Sequence, residues 1–229
     1  MSRLLILPLL ATLALMGCAG SSTDTASSTP AEQAALTMAD LDPALADTAI
    51  FAGGCFWCME PPFDKIEGVA ATISGFAGGT VPNPSYRRVV QGGTGHTEVI
   101  QIIYDASQVD FGTLLQVYWR NVDPFDAGGQ FCDRGDTYRP EIFALNAEQQ
   151  AQAEASKQAI AQRFDQPLVV DITPTDTFYP AEDYHQNFYK TNPDRYYSYR
   201  IGCRRDARLE QIWGDEAGGD AFIASANGE

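Results

Sequence analysis

The sequence predicts an α/β fold, a mixed sheet packed by helices, and three observations predict it. Runs rich in β-branched and aromatic residues recur at strand length, over residues 48–52, 69–76 and 99–104. Other segments carry apolar side chains at helical spacing; residues 111–121 place Leu114, Leu115, Tyr118 and Trp119 in that pattern. The two kinds of signal alternate along the chain, as they do where helices cover a sheet.

Each element has its own reason. Residues 48–52 are apolar and end in Gly53-Gly54, which reads as a buried strand followed by a sharp turn into Cys55. The two β-branched runs at 69–76 and 99–104 are strands, and the 111–121 segment is a helix. Residues 141–145 predict a further strand. Asn146, with Gln149 three residues on, is an N-cap that opens a helix to about residue 164. A strand follows over 168–172, then a helix over 181–189 that stops before Pro193. Residues 218–229 show little periodicity, and 215–229 is expected to be a loose tail. The order of the strands is not legible.

The chain has 229 residues, 45% of them apolar, with 12 Phe, 10 Tyr and 3 Trp, enough for one ordinary core. The expected state is a monomer. A formal charge of −15 repels phosphate backbones and argues against nucleic acid as a partner. Residues 1–17 read as a secretory leader. Arg3 supplies its positive charge, and the apolar run over 4–16 is too short to span a membrane. Leu15-Met16-Gly17-Cys18 resembles the lipobox of bacterial lipoproteins. That resemblance implies cleavage before Cys18, lipidation of Cys18, and contact with the membrane through this anchor only. Ala19 behind it implies the outer membrane of a bacterial cell envelope, facing the periplasm. Residues 18–47, Ser/Thr/Ala-rich at their start, form a flexible tether, and 48–214 the folded domain.

Beyond Cys18 the cysteines are Cys55, Cys58, Cys132 and Cys203, too few for a disulfide-dense scaffold, so reactive or paired thiols are expected. A helix opening at Cys55 would aim free amide N–H groups at its sulfur and favour the thiolate. Phe56 and Trp57 beside it could wall an apolar pocket suited to a thioether-like methyl. Pro61 and Pro62 would split or kink that helix a turn later. The Cys55/Cys58 pair has three readings: a redox-active pair, which is preferred, a structural disulfide, or half of a zinc site. The last needs two more ligands, and His96, His185, Cys132 and Cys203 lack zinc-like spacing, so no metal is expected.

Glu98 begins an apolar run, and a carboxyl drawn into an apolar site holds its proton and can donate it near neutral pH. His96 could do acid chemistry, although a hydrogen-bonded structural role is preferred. The polar loop over 129–140 carries Cys132, Asp133 and Tyr138; Tyr138 either donates to a substrate oxygen or is a half-buried core residue. Cys203 beside Arg204 and Arg205 would have a lowered pKa and could attack a sulfenic acid.

Taken together, Gly54-Cys55-Phe56-Trp57, Tyr86, Gly95-His96-Thr97-Glu98, Asp133-Arg134-Gly135 with Tyr138-Arg139, and Tyr184-His185-Gln186 resemble the A-type peptide methionine-S-sulfoxide reductases (MsrA), over about residues 49–214. The resemblance implies an elaborated ferredoxin-like plait with an antiparallel-rich sheet. It implies that Cys55 attacks the sulfoxide sulfur and Glu98 protonates the oxygen. Tyr86 and Tyr138 hydrogen-bond that oxygen, Asp133 supports the site, and Phe56 and Trp57 hold the substrate methyl. Methionine leaves and Cys55 becomes a sulfenic acid, which a second thiol converts to a disulfide. No cofactor is bound; thioredoxin or a thioredoxin-like protein supplies the electrons, and the S epimer is the substrate. Most relatives carry Gly where this chain has Cys58, and their resolving cysteines lie near the C-terminus. Cys203 and Cys58 are both credible resolvers, with Cys203 slightly preferred and Cys132 third. A periplasmic thiol–disulfide oxidoreductase and a non-catalytic lipoprotein stapled by two disulfides remain as competing readings.

Overall fold

The computed structural model describes residues 36–228; the expected leader, Cys18 and most of the tether lie outside the described residues. The sheet is built outward from β1 (Ala46–Gly53), whose last five residues are buried. It runs antiparallel between β3 (Thr97–Asp105) and β6 (Pro140–Ala144). β2 (Val69–Ala77) pairs with β3, and β8 (Tyr179–Pro180) with β2, both antiparallel. β7 (Asp171–Pro174) closes the far edge as the parallel partner of β6, which gives the order β7-β6-β1-β3-β2-β8. The sheet is therefore mixed and rich in antiparallel pairs.

Helices α1 (Phe56–Phe63) and α3 (Phe111–Arg120) pack on β1 through aromatic rings. Phe51 lies 5.7 Å from Phe63, 5.8 Å from Phe111 and 4.9 Å from Tyr118, centroid to centroid. Full burial of each such ring contributes about 2–3 kcal/mol. The Tyr118 hydroxyl donates to the Ala52 carbonyl at 3.0 Å, so the one polar atom of that ring is satisfied. Helix α4 (Ala147–Ala161) starts where the cap predicts: Asn146 accepts from the Gln149 amide at 2.8 Å. The Gln149 side chain reaches back to the Leu145 amide at 3.1 Å and ties the helix to the Thr48 carbonyl at 2.7 Å.

Four expectations change. The 181–189 helix is broken into a 3-10 turn over Asp183–His185 and a short α5 (Phe188–Thr191). Asn187 takes a left-handed conformation, φ 50°, and Gln186 is extended, with its amide bonded to both backbone groups of Ser74 at 2.9 Å. Pro193 does not mark a stop; it is the first residue of α6 (Pro193–Gly202), where its missing N–H costs nothing. α7 (Arg205–Trp213) follows. The 215–229 tail is not loose, because a 3-10 segment over Gly214–Gly219 leads into α8 (Asp220–Ala226), which buries Ile223. Asn227 accepts from the Glu67 amide at 2.7 Å and donates to the Lys65 carbonyl at 3.0 Å. Pro61 and Pro62 do not split α1: they fall in its second turn, and the helix ends at Phe63 before many bonds are lost.

Candidate active site

Gly54, at φ +80°, turns the chain from β1 into α1. A Cβ at Gly54 would meet Gln130 Cβ at 2.6 Å, so the turn is both left-handed and closely packed. Cys55 is the N-cap residue of α1 and is 6% exposed. Glu98, the second residue of β3 and 2% exposed, accepts from the Phe56 amide through Oε2 at 3.1 Å. The helix therefore spends its first free N–H on the carboxyl beside Cys55. This corrects the expectation of a preformed thiolate. Burial pushes the Cys55 thiol well above its usual range, and the hydrogen bond to Cys58 and the nearby Glu98 and Asp133 push the same way. Cys58, one turn on and in contact with Cys55, is lowered to about 7 by that hydrogen bond and by the Arg205 cation. Burial likewise raises the Glu98 carboxyl well above the usual range, against the Phe56 amide, which lowers it.

Aromatic side chains wall the sulfur. Phe56 lies 6.2 Å from Tyr86, 5.0 Å from His185 and 6.1 Å from Phe76. Trp57 stacks on Phe188 at 3.8 Å and donates its indole N–H to His185 Nδ1 at 3.1 Å. Burial lowers His185 to about 4, so this ring is a neutral acceptor near neutral pH. Tyr86 opens α2 (Tyr86–Val90), with its amide donated to the Glu182 carboxylate at 3.1 Å. Burial beside Glu98 raises the Tyr86 and Tyr138 hydroxyls, Tyr86 to about 12.

The strands β4 (Gly129–Gln130) and β5 (Asp133–Arg134) form a small hairpin that carries Asp133 to the site. Asp133 accepts from the Tyr199 hydroxyl of α6, and burial raises its carboxyl. His96 stands apart in role: its Nδ1 accepts from the Gly79 amide at 3.1 Å and its Nε2 pairs with the Val81 carbonyl at 2.8 Å, a structural clamp.

Cys132 and Cys203 are joined in a disulfide with a Cα–Cα distance of 4.9 Å, while Cys55 and Cys58 are free. Cys203, slightly preferred as the resolver from the sequence, is thus bonded away from Cys55, and Cys58 is the sulfur in contact with it. Of the arginines beside Cys203, Arg205 turns inward, 2% exposed, and donates to the carbonyls of Asn121 at 2.6 Å and Gly53 at 3.1 Å. Among the described residues, the grouping of metal-type ligands is Cys132, Asp133 and Cys203, and its two sulfurs are bonded to each other.

The sequence reading brought forward Cys55, Phe56, Trp57, Tyr86, Glu98, Asp133 and Tyr138, and the fold gathers all of them. It gave no role to Tyr199 or Glu182, and it read Arg205 only as a cation beside Cys203. Tyr199 and Arg205 lie in the one stretch dense in both Tyr and Arg, 195–208, which was the available signal.

A family model for peptide methionine sulfoxide reductase matches residues 47–217. The peptide methionine sulfoxide reductase MsrA of Streptococcus agalactiae serotype III (strain NEM316) is 51% identical over 169 residues, 73% of this chain and 99% of that protein. MsrA of Ligilactobacillus salivarius (strain UCC118) is also 51% identical over 169 residues, 73% of this chain and 98% of its own length. Among solved structures, methionine sulfoxide reductase A of Corynebacterium diphtheriae matches with a TM-score of 0.63 at 32% identity, over 66% of this chain and 77% of that one. Reduced Mxr1 of Saccharomyces cerevisiae matches with a TM-score of 0.63 at 29% identity, over 67% of this chain and 89% of that one. The fold and the site define an oxidoreductase acting on a sulfur group. The chain belongs to the peptide methionine sulfoxide reductase family, of the MsrA type, and its reaction is the reduction of methionine sulfoxide to methionine.

Proposed function

We propose that Cys55 is the nucleophile of this reaction, Glu98 its general acid and Cys58 the thiol that resolves the sulfenic acid. The observation that carries the reading is the Phe56 amide bound to Glu98 Oε2, which fixes in place, one residue from the reactive sulfur, a carboxyl that burial raises well above its usual range. A sulfoxide seated with its methyl against Phe56 and Trp57 would turn its oxygen to Glu98, Tyr86 and Tyr138, with Asp133 behind them. Attack by sulfur and protonation of oxygen leave methionine and a Cys55 sulfenic acid. Cys58 then attacks that sulfur, water leaves, and a Cys55–Cys58 disulfide forms. A thioredoxin-like dithiol returns the pair to thiols, with no bound cofactor.

The substrate is the S epimer in oxidised proteins of the bacterial envelope. The chain acts as a monomer, lipidated at Cys18 and anchored to the outer membrane on its periplasmic side. Support for this location is the lipobox-like Leu15-Met16-Gly17-Cys18 behind an apolar run.

The test is an assay of the purified domain with dithiothreitol on peptides carrying one sulfoxide epimer. The S epimer should be reduced and the R epimer spared. Cys55→Ser should abolish turnover, and Glu98→Gln should slow the chemical step by about a hundredfold or more. Cys58→Ser should release one methionine per enzyme and then stall with thioredoxin as reductant. Continued cycling by Cys58→Ser, with stalling by Cys203→Ser instead, would move the resolving role to Cys203.

A further inference from the structure

The site holds Cys55 as a neutral thiol, so its proton must leave as the sulfur attacks. The charged and titratable groups facing it are Cys58 of α1, Glu98 of β3, Tyr86 of α2, Tyr138, Asp133 of β5, Tyr199 of α6 and Arg205 of α7. Most of these cannot take the proton. Glu98, raised by burial, is the proposed acid of the step and gives up a proton in it. Tyr86 and Tyr138 are phenols whose ionisation burial opposes. Arg205 has no acceptor atom. Two routes remain: Cys58, or the Tyr199 hydroxyl and the carboxylate behind it.

The geometry points to the second route: we propose that Tyr199 is a further catalytic residue, whose hydroxyl passes the Cys55 proton to Asp133. The Tyr199 hydroxyl donates to Asp133 Oδ2 and interacts electrostatically with the Cys55 sulfur, which lines up a route from S–H through O–H to a carboxylate. Trp57 meets the Tyr199 ring edge-on at 6.0 Å and fixes its plane. The Cys132–Cys203 disulfide is a second link between the same two pieces of backbone. Cys132 adjoins Asp133, and Cys203 lies one helical turn beyond Tyr199, its amide bonded to the Tyr199 carbonyl at 2.9 Å. A covalent strap therefore holds the donor and the acceptor together. Cys58 is the poorer acceptor, because a proton placed there would have to be removed again before that sulfur could resolve the sulfenic acid.

The step balances. The Cys55 proton goes to the Tyr199 oxygen as the Tyr199 proton goes to the Asp133 carboxylate. The Glu98 proton goes to the sulfoxide oxygen, which moves to Cys55 as the methionine sulfur gains its lone pair. The products are methionine, a Cys55 sulfenic acid, ionised Glu98 and protonated Asp133, and one proton returning from Asp133 to Glu98 resets the site.

This inference rests on Cys55 as the nucleophile. It is tested by single-turnover methionine formation from a methionine-S-sulfoxide peptide, measured from acid to alkaline pH with the intact domain. Tyr199→Phe should lose on the order of a hundredfold in rate near neutrality at saturating substrate. Its rate should climb towards the wild type as pH rises, because hydroxide replaces the relay. Asp133→Asn should show the same pH signature, and the double variant should be no slower than either single one. A Tyr199→Phe rate within about twofold of the wild type across the pH range would overturn the relay. So would a pH-independent loss carried mainly by KM, which marks simple packing on Trp57. If Tyr199→Phe fails to fold, the Asp133→Asn profile decides alone. Methionine formation by Cys55→Ser at the wild-type rate would refute the assignment of Cys55 instead, so the two failures read differently.

Discussion

At the scale of single residues, two buried carboxyls lie close to the site, and their partners differ. Glu98 has the Phe56 amide on one oxygen and the substrate side of the site before it. Glu60, on α1, is fully buried; its Oε1 accepts from the Asn187 amide at 3.3 Å and its Oε2 has no partner. Burial raises Glu60 from 4.5 to about 7. The sign follows from linkage. Below pH 4.5 the folded and unfolded chains both hold this proton and the carboxyl costs nothing. Between 4.5 and about 7 the unfolded chain releases the proton while the folded chain keeps it, so stability falls as pH rises, by up to about 3 kcal/mol. Glu60→Gln is neutral in both states and escapes this loss. Denaturant melts of the variant and the wild type should therefore diverge in favour of the variant across this window. A stability difference that stays constant with pH would mean that Glu60 is not held neutral.

At the scale of elements, the Cys132–Cys203 disulfide joins the β4–β5 hairpin to the end of α6 across 71 residues of sequence. Closing a loop of that length removes conformational freedom from the unfolded chain worth about 4 kcal/mol. Cys203→Ser should lower the midpoint of thermal unfolding by many degrees relative to the oxidised wild type, with the Cys55 thiol still free in both. An unchanged midpoint would mean that the bond carries no net stabilisation. The elements differ in how far the sequence revealed them. β1, β2, β3, α3 and α4 were legible because each has a local cause: an apolar run, a helical period, or Asn146 as a cap. The order of the strands was not, because pairing is decided by which faces meet at a distance. Pro193 misled because a proline that cannot continue one helix is well suited to begin another. The tail misled because what orders α8 is tertiary: Ile223 in the core and Asn227 bridging Glu67 and Lys65. The site followed the same division. Cys55, Glu98 and their aromatic neighbours stood in dense local motifs. Tyr199 becomes a site residue only when α6 folds back over Asp133, a contact 66 residues apart in sequence. The raised thiol of Cys55 was hidden for the same reason, since the amide expected to serve the sulfur is bound by a carboxyl 42 residues away.

At the scale of the whole molecule, charge and the proposed anchor make opposite demands, and that makes the anchor testable. With 30 acidic against 15 basic side chains, the chain is repelled by the anionic surface of a bacterial membrane. None of the helices among the described residues is long and apolar enough to cross a membrane. In the proposed arrangement, retention at a membrane comes from acyl chains on Cys18 and not from electrostatic attraction. Two consequences separate these causes. A high-salt wash releases proteins held by charge, so it should leave this chain in the membrane fraction. Cys18→Ser removes the lipidation site and should move the protein to the soluble fraction, with its activity on a sulfoxide peptide intact because, among the described residues, the core and the site are built from residues beyond 40. Wild-type chain that is soluble from the outset, or Cys18→Ser chain that stays with the membrane, would remove the anchor from the account and leave the reductase domain unaffected.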